Sequence, residues 1–212
     1  MRSLVLLSSV SVLTLAACGE PEIAMEVTEV GDYQIMPEGT EACFEGEMSA
    51  SLRDVCVLSS DVMEGRLVGT EANARARDYL LARYEAIGVE PVGESFFHAF
   101  EFERPVDFRN PDAGRETLTG YNIIGRIPGA NSSKVMVVTA HYDHVGPGEN
   151  NEIFNGADDN ASGVGGMLAV AQHFIDNPPA HNVVIIAFDA EEGGLNGARA
   201  FVDNPPEGLA PV

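Results

Sequence analysis

Three short strings hold the residues that could do chemistry: His141-Tyr142-Asp143-His144, then Asn155-Gly156-Ala157-Asp158-Asp159-Asn160-Ala161-Ser162-Gly163, then Asp189-Ala190-Glu191-Glu192. Imidazole nitrogens and carboxylate oxygens are the donors that borderline-hard divalent ions take, zinc above all. A carboxylate beside such an ion that is not itself a ligand can accept the proton of a metal-bound water. Each string alone is weak: an HxD is commonplace, GADDN fits a helix cap, and adjacent glutamates usually mark a solvated helix start. Their placement strengthens them. The first string follows the apolar run 135–139 (VMVVT), the third ends the apolar run 183–188 (VVIIAF), and the second precedes an apolar-periodic segment. No G-x-S-x-G string and no cysteine with a paired histidine signal is present, so a serine or cysteine nucleophile has no support.

Continuous apolar runs of this kind are expected of strands buried on both faces. Between them Val164, Met167, Leu168, Ala171, Phe174 and Ile175 recur at helical spacing. Asp158, Asp159, Asn160 and Ser162 mark the start of that helix, and Asn177-Pro178-Pro179 stops it. Strand, long loop, helix, strand is a crossover unit and favours parallel strands. Parallel strands would bring all three strings to one edge of the sheet, outside the carboxyl ends of the strands, where open α/β sheets bind ligands. Upstream, Thr70 is a candidate N-cap, and Ala76, Tyr79, Leu80, Tyr84 and Ile87 predict an amphipathic helix stopped at Gly88. Residues 95–102 are aromatic-rich and strand-like, and 121–127 (YNIIGRI) form another apolar run before the Pro128-Gly129 turn. The fold class predicted is α/β, a mixed and mostly parallel central sheet with helices on both faces.

A chain of 212 residues, 45% hydrophobic and 21% charged, holds one sizeable core with appendages, which excludes wholesale disorder and two full-sized enzyme domains. Twelve Lys and Arg against 33 Asp and Glu give a formal charge of -21, which repels phosphate backbones, so no nucleic-acid partner is expected. Residues 1–17 read as a signal peptide: Met1-Arg2 is a short positive start, and the apolar stretch 4–15 falls short of the ~20 residues that span a bilayer. The string Leu15-Ala16-Ala17-Cys18 resembles the lipobox of bacterial lipoproteins, which implies cleavage before Cys18 and anchoring by its acyl chains. An ordinary signal with a coincidental cysteine is the alternative. Gly19, rather than Asp, after Cys18 leans toward the outer membrane, so the expected location is the bacterial cell envelope, lipid-anchored and facing the periplasm or exterior. Residues 18–50 are acidic, broken by Pro and Gly and without period, as in a tether running into irregular structure. Cys43 and Cys56 remain for an oxidising compartment. A disulfide is their natural pairing, contributing up to roughly 3 kcal/mol, with two free thiols as the alternative.

Taken together over residues 58–204, the three strings, the segment 58–70 (LSSDVMEGRLVGT), the helix after it and Tyr121-Asn122-Ile123-Ile124-Gly125 resemble one family. It is the aminopeptidase Y and bacterial leucyl aminopeptidase family of zinc exopeptidases, whose relatives include glutamate carboxypeptidases and glutaminyl cyclases. The resemblance implies that residues 51–212 are a partial zinc peptidase domain, with two zinc ions in the complete protein. It makes His141 a ligand of one zinc, with Asp143 orienting the far ring nitrogen. It makes Asp159 the carboxylate bridging both ions, Glu192 a ligand of the other zinc, and Glu191 the general base. Asp158 is left a helix-start role, His144 lines the cleft or is exposed, and His98, His173 and His181 are structural or solvated. The family completes its zinc pair with an Asp after the next strand and a His further on. None of Asp203, Glu207 or the earlier histidines matches those positions, which implies a C-terminally truncated chain, inactive on its own. The implied activity is that of an aminopeptidase acting on peptides in the cell envelope. A glutaminyl cyclase-like or carboxypeptidase member of the same family, or a non-catalytic envelope lipoprotein retaining the fold, are the alternatives.

Overall fold

A computed structural model describes residues 36–106, 111–148, 150 and 152–209. Residues 1–17 and Cys18, with the lipid anchor expected there, lie outside the described residues. In chain order the main elements are α1 (Ala50–Leu58), α2 (Glu71–Ile87), β1 (Glu90–Pro91), β2 (Phe97–Pro105), β3 (Arg115–Ile127), β4 (Asn131–His141), α3 (Ser162–Asp176), β5 (His181–Phe188) and α4 (Asn196–Asp203). No described helix is long and apolar enough to cross a membrane.

Helix α2 begins and ends where its sequence predicts. The Thr70 hydroxyl accepts the Asn73 amide at 3.2 Å. Gly88 closes the helix in the left-handed region, with its amide donating to the Tyr84 and Glu85 carbonyls. Ala76, Tyr79, Leu80, Tyr84 and Ile87 are buried as the periodicity requires. Two polar residues of the same helix are buried as well, Asn73 and Arg83. Arg83 is paired with the buried Asp54 of α1 at 2.8 Å, and Tyr79 donates to the same carboxylate.

The sheet runs β1-β3-β5-β4, with β2 also paired to β3. It is mixed, as expected, but its parallel share is smaller than the sequence suggested. Among the described residues β4 and β5 form the one parallel pair, and β1, β2 and β5 all pair antiparallel to the long strand β3. Periodicity reports which residues are buried, whereas strand direction depends on the partner, and β3 takes three.

Strand β5 is covered on both faces. Val183, Ile185 and Ala187 join Ile123 and Ile127 under α1, α2 and α3, while Val184, Ile186 and Ile124 face the side of Phe201 on α4. Each fully buried aliphatic side chain of this kind contributes about 1.5–3 kcal/mol. Strand β4 does not share that environment. Among the described residues it pairs only with β5, and Met136 in its middle is 50% exposed, so its apolar run is an edge strand.

Among the described residues before α1 the one regular element is a short 3-10 turn, Glu41–Phe44, and it is packed. Cys43 is buried and disulfide-bonded to Cys56 of α1, with the Cα atoms 5.6 Å apart. The Thr40 hydroxyl, also buried, donates to the Pro37 carbonyl.

Candidate metal centre

The parallel register of β4 and β5 sets His141 opposite Phe188, so both strands finish side by side. One further bond, from the Tyr142 amide to the Phe188 carbonyl at 2.9 Å, carries the pairing past the strand end. Beyond it the Asp143 carboxylate accepts the backbone amides of Glu191 at 3.0 Å and Glu192 at 3.3 Å. One buried side chain from the first string therefore fixes the backbone of the third. Ala190 is left-handed at φ 54, which ends the alternation of the strand and lets neighbouring glutamates reach the same space.

The His141 ring is oriented along this axis. Its Nδ1 lies 3.2 Å from the Asp143 backbone carbonyl and 3.6 Å from that residue's carboxylate. Its Nε2 faces the other way, 3.1 Å from Asp159 and 3.9 Å from Glu191. Burial alone would lower the imidazole pKa, but the hydrogen bond and charge of Asp143, with Glu191, outweigh it and raise the value. Glu192 turns to His144, whose Nδ1 stands 2.6 Å from its carboxylate.

Asp159 is delivered by a loop that tightens into a π-type turn, Ala157–Ala161, just before α3. Asn160 rather than Asp158 supplies the helix-start contact, its Oδ1 accepting the Gly163 amide at 3.0 Å. A Cβ at Gly163 would fall 2.2 Å from that oxygen, so a larger residue there would displace the Asn160 side chain. Asp158 contributes its backbone carbonyl, which accepts the Ser162 hydroxyl at 3.0 Å.

Ligand atoms of His144, Asp159 and Glu192 lie within 4.8 Å of one another. Zinc bonds of about 2.0–2.2 Å put the ligands of a tetrahedral site roughly 3.4 Å apart. His141, Asp159 and Glu191 add a second group of donors against the first, with Asp159 common to both. Two imidazoles and three carboxylates around a shared aspartate make a nitrogen and oxygen donor set that fits zinc. His144, read from the sequence as cleft lining or exposed, is thereby brought into the cluster. A recess of ≈200 Å³ bordered by Leu67, Val68, Phe102, His144, Val145 and Glu192 opens beside it.

Other candidates go elsewhere. Asp189, within the third acidic string, is fully buried and accepts three N–H groups: Asn73 Nδ2 at 3.0 Å, Tyr121 N at 2.9 Å and Ala190 N at 3.0 Å. Burial, and then the charge of Asp143, push its pKa up to about 6 against those donors. It is a structural carboxylate tying α2 and β3 to the end of β5. His98 is held between Asn122 of β3, at 3.1 Å, and the Asn204 carbonyl, at 2.8 Å. His173 stacks edge-on against Phe174, and His181 lies 3.2 Å from the Asn131 carbonyl.

Sequence reasoning missed Arg66 as an individual residue, although it lies inside the segment 58–70. It is completely buried, and burial draws its pKa down to about 10 against the charges of Asp143, Asp159 and Glu192. Three left-handed residues in a row, two of them not glycine, precede the bonds it makes, and they have no signature that periodicity could report.

A mixed sheet covered by helices, with imidazoles and carboxylates gathered at the ends of its parallel strands, places these donors where open α/β sheets bind ligands. Residues 122–210, which contain all five candidate site residues, match the model of Peptidase family M28. The chain is 31% identical over 144 residues to the vacuolar membrane protease of Eremothecium gossypii, a match covering 64% of this chain and 14% of that protein. Its fold is shared with a leucine aminopeptidase precursor from Bacteroides thetaiotaomicron, at a TM-score of 0.57 and 22% identity, covering 76% of this chain and 58% of that one. It is shared equally with a glutaminyl cyclase of the same organism, at a TM-score of 0.56 and 23% identity, over 76% and 57% of the two chains. The resemblance to the zinc exopeptidases and their glutaminyl cyclase relatives is thus present in both sequence and fold.

Proposed function

We propose that this chain is part of a zinc-dependent exopeptidase, of the aminopeptidase type, that removes N-terminal residues from peptides in the bacterial cell envelope. The observation that carries the reading is the convergence of His141, His144, Asp159 and Glu192 on one space, with Glu191 beside them. In this reading His141, Asp159 and Glu192 would hold zinc, with Asp159 common to both groups of donors, and the recess beside Glu192 would receive an apolar side chain of the peptide. Zinc, when bound, would acidify a water and polarise the scissile carbonyl. Glu191, which this reading leaves off the ion, would accept a proton at its carboxylate and return it to the leaving amine. Asp143 holds His141 through Nδ1 and, through two amide bonds, keeps Glu191 and Glu192 in reach. Residues 1–17 are the signal in this proposal, and Cys18 carries the lipid anchor.

Two substitutions in the full-length protein separate a ligand from a base. Glu192→Ala deletes a bond to the ion and is expected to lose zinc together with activity. Glu191→Gln leaves the ligands whole, so zinc content stays near wild type while turnover falls by roughly 10²-fold or more. Zinc analysis by mass spectrometry beside hydrolysis of an amino-acyl arylamide reads both. Equal zinc loss in the two variants refutes the roles, and near-normal turnover of Glu191→Gln removes the peptidase mechanism. Release of ammonia from an N-terminal glutamine peptide, with no arylamide hydrolysis, would make the protein a cyclase instead.

A further inference from the structure

The chain reaches Arg66 through a turn that L-residues adopt reluctantly. Glu64, Gly65 and Arg66 have φ of 42, 68 and 49. The left-handed region is unfavourable for residues other than glycine. Gly65 cannot be replaced without disturbance, since a Cβ would stand 2.5 Å from the Phe154 carbonyl oxygen and 2.8 Å from the Gly146 Cα. The turn sends the Arg66 side chain into the protein instead of into water.

Inside, the guanidinium is held by peptide carbonyls. Nε donates to Tyr142 O at 2.7 Å, Nη1 to Asn155 O at 2.8 Å and to Leu58 O, and Nη2 to Gly156 O at 3.0 Å. The backbone of the same turn adds two bonds, accepting the His144 amide at Arg66 O (3.3 Å) and the Gly146 amide at Gly65 O (3.0 Å). Tyr142 lies between His141 and Asp143, while Asn155 and Gly156 stand four and three residues before Asp159. Two stretches of the loop between β4 and α3, which also pair with each other at Pro147 and Ile153, are therefore gripped by one planar group. None of the bonds described for that group ends on a carboxylate, although Asp143, Asp159 and Glu192 all feel its charge. A guanidinium can do this because its five donors are fixed in one plane. An ammonium in the same place is a single point with three donors and cannot span the same carbonyls.

We infer that Arg66 is a positioning residue for the metal centre, a fork that locks the 141–144 turn to the Asp159 loop before any ion arrives and leaves the carboxylate oxygens open to cations. This rests on the reading that the centre binds metal. Arg66 offsets part of the repulsion among those carboxylates, and none of the bonds described for it occupies their oxygens.

Arg66→Lys in the full-length protein keeps the charge and loses the fork. Competition with a chromophoric chelator should show zinc bound about 10–100-fold more weakly than by wild type, the usual cost of removing a group that orients ligands. Thermal unfolding of the same preparation establishes that the measured protein is folded. A residue that only supports the fold would lower the unfolding temperature and leave the zinc affinity of folded molecules unchanged. A folded Arg66→Lys protein with wild-type zinc affinity overturns the inference. Should the variant not fold, amide hydrogen exchange on metal-free wild type decides the matter. The His144, Gly146 and Ala161 amides, bonded to Arg66, Gly65 and Gly156, are expected to be protected to the level of the β5 amides. Exchange at open-loop rates overturns the inference. The exchange result stands apart from the peptidase reading, which fails separately if wild type takes up no zinc.

Discussion

Gly197 offers a direct way to perturb the glutamate-bearing loop without touching a candidate ligand. It sits in the first turn of α4, where a Cβ would fall 2.3 Å from Asn122 Oδ1, 2.3 Å from the Asp189 carbonyl oxygen and 3.0 Å from the Asp189 nitrogen. Asn122 is itself fully engaged: Oδ1 accepts the Asp189 amide at 3.0 Å, and Nδ2 donates to Gly197 O at 2.8 Å and lies 3.1 Å from His98. Gly197→Ala therefore has to push β3 from the end of β5 or break the Asp189 amide bond. Overpacking of this kind costs about 1–3 kcal/mol. A buried donor left without a partner costs about 1–3 kcal/mol more. Better helix propensity returns about 1 kcal/mol, leaving a net loss of roughly 1–5 kcal/mol. For a protein of this size each kcal/mol lowers the unfolding temperature by about 2–4 °C. Gly166→Ala is the matched control. It lies inside α3 with nothing within 4 Å of the added carbon and should stabilise by about 0.5–1 kcal/mol. Calorimetry or denaturant titration of both variants measures the pair, and arylamide turnover should fall only in Gly197→Ala. Equal stability changes in the two variants would refute the steric account.

Two cysteine predictions follow. Reducing the Cys43–Cys56 bond, which closes a loop with a separation of 13 residues, should lower stability by up to about 3 kcal/mol, read as a shift of the denaturant midpoint with and without reductant. Thiol titration of denatured, unreduced protein should find neither cysteine free, and two titratable thiols would contradict the pairing. Cys18→Ser should move the protein from the membrane to the soluble fraction of the cell envelope. Identical fractionation of wild type and variant would remove the lipid anchor.

Much of the fold was legible because its signals are local. The limits of α2 were written in Thr70 and Gly88, and the apolar run of β5 and the helical spacing of α3 needed no partner to be recognised. The strings of the centre were legible for the same reason, each standing next to an apolar element that ends where it begins. What stayed hidden depends on residues far away in the chain. Arg66 is bonded to Tyr142 and Asn155, 76 and 89 residues on, and Asn73 to Asp189, 116 residues on. A buried polar side chain is tolerated only when its partners are in place. A sequence pattern names the residue without naming the partner, so nothing in it singles out Arg66 within the segment 58–70, and Asp189 reads as one more acid in a metal-like string. Strand β4 misled for a related reason. An edge strand and a central one have the same apolar run, and only pairing tells them apart.

The five acidic residues around the centre sort themselves by what they accept. Asp143 and Asp189 are buried at 1% and 0% exposure, and their oxygens take backbone amides of the 189–192 loop, with Asn73 and Tyr121 besides. Asp159, Glu191 and Glu192 keep 61%, 33% and 25% of their side chains exposed, and the contacts described for them are to imidazoles alone. A buried carboxylate with N–H donors on both oxygens has less capacity left for an ion, while one facing an imidazole across open space has most of its oxygen capacity unspent. Amide bonding thus divides the cluster into acids that shape the loop and acids that can meet a cation. The division falls between the neighbours Asp189 and Glu191 because Ala190 turns the chain between them. The same division sets how the charges of the cluster are met. The two carboxylates least able to shed their charge into water are the two surrounded by donors, and the three left to repel one another are the three that water can still reach.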